Sequence, residues 1–89
     1  MNYKFYTDPG HGWLEVPLKE LLELNISQNI SKYSYISSNK QFVYLEEDCD
    51  APRFLEAKKK AGQEVKIEEV NFNVDCYIRR MKSFNLFAF

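Results

Sequence analysis

Residues 7–16, TDPGHGWLEV, restrict the fold more than any other stretch of this chain. Asp8 can accept bonds from nearby backbone N–H groups, Pro9 presets φ, and Gly10 tolerates φ > 0, a set that predicts a type II turn. The aromatic-rich Tyr3–Tyr6 before it and Trp13–Val16 after it both read as strand, with Leu14 and Val16 on one face. The chain therefore has to reverse on itself here, as a β-hairpin with a short loop. Two of only three glycines flank His11, the only histidine, inside that loop.

Pro17 closes the second strand and suits the first turn of a helix. Leu18, Leu21 and Leu22 follow as an apolar stripe, with Lys19, Glu20 and Glu23 expected to face water. Asn25 is a left-handed cap residue, and Ser27 can cap a short turn carrying Ile30. Tyr33–Ile36 and Phe42–Glu46 read as a second hairpin around Ser38-Asn39-Lys40. Asp50 is the expected N-cap of a helix with Pro52 in its first turn, and Gly62 is its stop. Glu64–Val70 alternates as an edge strand, with Val65 and Ile67 inward. Beyond Asn71 the pattern weakens. The order β-β-α-β-β-α-β predicts one α+β domain over residues 1–89, with two helices on one face of a mainly antiparallel sheet. Residues 83–89 form an apolar tail in which Phe84, Leu86, Phe87 and Phe89 either close the core or pair two subunits as a homodimer.

Composition limits function. A 16% aromatic share opposes disorder, and a net charge of −1 opposes general nucleic-acid binding. No apolar run reaches the roughly 20 residues that span a bilayer, so no membrane role is expected. The chain begins without a secretory signal, which predicts a cytoplasmic location with Cys49 and Cys76 reduced.

The stretches TDPGHGWLEVP, ISKYSY, YLEEDCD and FLEA resemble a family of small uncharacterised proteins of bacteriophage and bacterial mobile-element genomes. The resemblance runs from residue 5 to about 57, with a weaker echo at Cys76–Arg79, and it implies no activity. The expected role is that of a small non-enzymatic binding or regulatory protein of phage or mobile-element origin that occludes or modulates a host or phage protein in the host cytoplasm, one version being inhibition of a host defence or nucleic-acid enzyme.

No complete catalytic set, P-loop or dinucleotide motif is present, and no cofactor is implied. Cys49 at a helix start is surrounded by acids that raise a thiol pKa, which makes it a poor nucleophile. Partner binding is expected on a surface joining the Asp8, His11 and Trp13 loop to the acidic corner Glu46, Glu47, Asp48 and Asp50, with Trp13 as an exposed aromatic. A rival metal-dependent hydrolase or nuclease would use His11 with Glu47, Asp48 and Asp50. A weaker alternative, nucleic-acid binding, needs Lys58, Lys59, Lys60, Arg79 and Arg80 on one face.

Overall fold

The computed structural model describes residues 2–85. The fold is α+β with a six-stranded sheet. Strands β1 (Asn2–Thr7), β2 (Gly12–Pro17), β3 (Tyr35–Ile36), β4 (Phe42–Glu46), β5 (Lys66–Asn71) and β6 (Lys82–Ser83) lie in the order β5-β1-β2-β4-β3-β6. All pairings are antiparallel except β1 with β5. The described residues also form helices α1 (Leu18–Glu23) and α2 (Ala51–Lys60) and two 3₁₀ turns, Ser27–Asn29 after α1 and Tyr77–Arg80 between β5 and β6.

Strand alternation sorts the side chains into two apolar clusters, one on each face of the sheet. Leu14 and Val16 of β2 and Val43 and Leu45 of β4 pack against Leu21 of α1 and Phe54 of α2. Trp13 and Tyr44, their neighbours in sequence, point the other way and pack with Tyr6, Cys76 and Ile78. Both helices thus cover one face, as expected. The other face is covered by the segment around the Tyr77–Arg80 turn. Its inward residues, Cys76 and Ile78, are spaced i, i+2 in a single turn, too short a pattern to stand out in the sequence.

The Asp8–His11 turn is not type II. Neither Gly10 nor Gly12 has positive φ. Instead the Asp8 carboxylate accepts the N–H groups of Gly10 (2.9 Å) and His11 (3.0 Å), and Asp8 N donates to the His11 carbonyl. The glycines are needed for close approach. A Cβ on Gly12 would lie 2.6 Å from the Phe5 ring, and one on Gly10 would lie 2.7 Å from the Arg79 guanidinium. Positive φ occurs at Asn25 and Gly62, the two expected helix-end caps, and at Lys40 in the β3–β4 turn.

Three further expectations are corrected. Asp50 stands at the N-cap position of α2, yet its side chain makes no cap bond. The carboxylate turns away to Ser31 and Ser34, taking the Ser34 hydroxyl at 2.5 Å and the Ser31 hydroxyl at 2.6 Å. Glu20 is buried, with Lys58 Nζ at 2.5 Å and the Tyr3 hydroxyl at 2.5 Å, whereas Leu22 of the supposed apolar stripe is exposed. A distant ion pair therefore overrides the local period of α1. In β5, Ile67 is also largely exposed; Val65 and Val70 make the packing contacts.

Phe84 is buried in the helix-side core and its N–H donates to the Ser34 carbonyl. Leu86, Phe87 and Phe89 lie outside the described residues. Among the described residues no helix is long and apolar enough to cross a membrane.

Candidate functional site

The β1–β2 loop, the end of β4 and the entry to β3 meet on the sheet face that carries Trp13. Pairing of Trp13 with Glu46 in the β2–β4 ladder fixes the centre of the arrangement. The bond from Glu47 N to the Gly12 carbonyl (3.0 Å) then holds the acidic corner against the loop. Between these elements lies a cleft of about 320 Å³ bordered by His11, Tyr33, Tyr35, Glu46, Asp48 and Cys49, with Trp13 and Arg79 as its inner wall.

The inner wall is locked. Asp8, whose side chain is fully buried, takes Arg79 Nε at 2.5 Å and Nη2 at 2.7 Å, and its Oδ2 also accepts Cys76 N at 2.9 Å. The Arg79 guanidinium holds the Asp8 carboxyl well below the usual carboxylate range; burial opposes this, and the N–H bonds from Cys76, His11 and Gly10 reinforce it. The same guanidinium sits 5.1 Å over the Trp13 ring, which Tyr35 meets edge-on at 6.2 Å. Trp13 is only 2% exposed, so it is a wall of the cleft and a core residue, and the expected exposed aromatic is instead Tyr33, which is 59% exposed.

The acidic rim is also organised. Glu46 is nearly buried, and its Oε2 accepts the N–H groups of Asp48 (2.9 Å) and Cys49 (2.8 Å). Its Oε1 lies 4.0 Å from His11 Nδ1. The Glu46 carboxylate beside Cys49 is the main cause pushing the thiol pKa up; burial and the Glu46, Asp50 and Asp48 charges act in the same direction.

The residues expected at one site are thus divided. His11, Glu46, Glu47 and Asp48 come together. Asp8 lies beneath them as an anchor, and Asp50 is taken by the serines in the interior. The ligand set His11, Glu47, Asp48 and Asp50 is not assembled, because Asp50 is committed to Ser31 and Ser34; ligand atoms of His11, Glu46 and Glu47 instead lie within 4.8 Å of one another. The basic clusters do not share a face. Lys58 is buried against Glu20, Tyr3 and Phe54 on the helix side, and Lys60 pairs with Glu56, while Arg79 is bound to Asp8 on the opposite side. Burial pulls the Lys58 ammonium down, but its bonds to Glu20 and Tyr3 outweigh that and leave its pKa raised.

Tyr33 and Tyr35 both border the cleft, and Tyr33 is the more exposed of the two. The fold and cleft together define a small α+β domain with an aromatic and acidic pocket on one sheet face. No family model, curated protein or solved structure matches the chain.

Proposed function

We propose that this chain is a protein-binding module that receives a basic side chain, arginine above all, of a partner protein in the Trp13 cleft. The observation that carries the reading is the meeting of an exposed tyrosine ring with the Glu46 and Asp48 carboxylates in one preformed hollow. Aromatic faces attract cations and carboxylates pair with the guanidinium fork, so the two together select arginine over neutral guests. The protein already uses this chemistry internally, with Arg79 over Trp13 and Lys32 Nζ 5.7 Å from the Tyr33 centroid. An incoming guanidinium competes with the exposed Lys32 for that ring. In this reading the partner is a host or phage protein met in the host cytoplasm, and the chain acts by covering its basic surface.

One exposed cation–π contact contributes about 0.5–1 kcal/mol and one exposed ion pair about as much, so an isolated arginine binds weakly. The test is a titration of short arginine peptides followed by Trp13 fluorescence. Saturable binding with a Kd on the order of 0.1 M is expected for the isolated contact. The citrulline counterpart should give none, and Tyr33→Ala and Asp48→Asn should weaken it. An equal response to arginine and citrulline would overturn the reading.

A further inference from the structure

We infer that His11, Glu46 and Glu47 form a binding site for one divalent transition-metal ion of the zinc class at the rim of the cleft. Three side chains of ligating type converge there from two separate elements, with ligand atoms within 4.8 Å of one another. An imidazole with two carboxylates suits zinc or manganese better than the all-oxygen shell that calcium and magnesium prefer.

The backbone behind each ligand is fixed. His11 N is tied to the Asp8 carboxylate, and Glu47 N to the Gly12 carbonyl. Glu47 Oε2 itself lies over Gly12, where an added Cβ would be 3.1 Å away. Glu46 supplies an independent indication. Its Oε2 is occupied by two backbone N–H groups, which leaves Oε1, on a residue only 8% exposed, turned toward His11 Nδ1 at 4.0 Å. That separation is too long for a hydrogen bond. It exceeds by well under 1 Å the ~3.3 Å between neighbouring ligands in a tetrahedral site with bonds near 2.0–2.1 Å.

Charge points the same way. Among the described residues neither Glu46 nor Glu47 has a lysine or arginine within ion-pair distance, and Arg79, the nearest cation of the cleft, is committed to Asp8. Two carboxylates held together without a fixed cation repel each other, and a divalent ion relieves this. Three protein ligands leave a coordination position for water.

The test is calorimetric titration of the chelator-stripped chain with zinc chloride and, separately, manganese chloride. It involves no peptide, so its outcome is independent of the arginine reading. One zinc per chain is expected. His11→Ala and Glu47→Gln, both at accessible positions, should each weaken binding at least about tenfold, the loss that even a supporting residue of a metal site can cause. Cys49→Ser should leave it unchanged. Absence of saturable heat would overturn the assignment. So would binding that survives both His11→Ala and Glu47→Gln, or binding lost only in Cys49→Ser, which would mark an adventitious thiol site.

Discussion

Replacing Asp8 by alanine tests the central joint of this fold. Asp8 connects the first hairpin to a segment 68–71 residues later through Cys76 N and Arg79. The cost can be worked bond by bond. Cys76 is 1% exposed, so its N–H loses its acceptor with little access to water, costing about 1–3 kcal/mol. The N–H groups of Gly10 and His11 lie on an exposed loop and lose about 0.5–1.5 kcal/mol each, because water replaces part of each bond. The Arg79 side chain is 32% exposed, and screening leaves its ion pair a minor contribution. Together Asp8→Ala should cost about 3 kcal/mol. In urea, with a slope near ~1 kcal/mol/M for a chain this small, the midpoint should fall by about 3 M. Trp13, the only tryptophan and the ring under Arg79, is the natural fluorescence probe. The pH dependence has a definite sign. The folded pKa of Asp8 is depressed, chiefly by Arg79. Its stabilisation is therefore complete above the unfolded carboxylate pKa, roughly 3.9, and is lost as pH falls toward the folded value. The gap between wild type and Asp8→Ala should accordingly narrow below about pH 4. A midpoint shift under about 0.5 M would refute the reasoning. So would effects of Asp8→Ala and Arg79→Ala that simply add, since contacting residues are coupled.

Two other substitutions test the interior. Glu20→Ala removes the carboxylate that neutralises the buried Lys58 ammonium while leaving its neutral partners such as Gln63 (2.7 Å), and should cost about 3–5 kcal/mol in the same urea assay; a loss under about 1 kcal/mol would mean that Lys58 finds water instead. Gly12→Ala drives a methyl group into the Phe5 ring and should lower stability by about 1–3 kcal/mol, whereas Gly10→Ala crowds the partly exposed Arg79 guanidinium, whose shift loosens only its screened pair with Asp8, and should cost less. Thermal melts of the two glycine variants decide this, and a reversed order would show that the loop relaxes.

What the sequence disclosed depended on the distance between partners. Asn25 and Gly62 were recognisable as caps because the helix they end is their immediate neighbour. The β3–β4 hairpin was recognisable for the same reason, with its turn between its own strands. Asp50 looked like a helix cap from its position, but its carboxylate answers to Ser31 and Ser34, 16–19 residues away. Glu20 looked like a solvent residue because Tyr3 and Lys58, its partners, belong to β1 and α2. The parallel pairing of β5 with β1 is of this kind too, since alternation within a strand says nothing about which neighbour it takes.

The same division decides which residues can report on function. Asp8, Trp13 and Asp50, which the sequence marks as unusual, are interior groups, so changing them tests folding first. Their removal would abolish partner binding and metal binding alike, and such a loss would not distinguish a site from a scaffold. Tyr33, Asp48 and His11 are exposed and close no buried bond through their side chains. Surface changes of this kind normally move stability by no more than about 0.5 kcal/mol. If Tyr33→Ala, Asp48→Asn and His11→Ala keep the wild-type urea midpoint, any loss of arginine or zinc binding in them belongs to the cleft itself. If the midpoint drops substantially in all three, the cleft is part of the core and its rim is not a free surface.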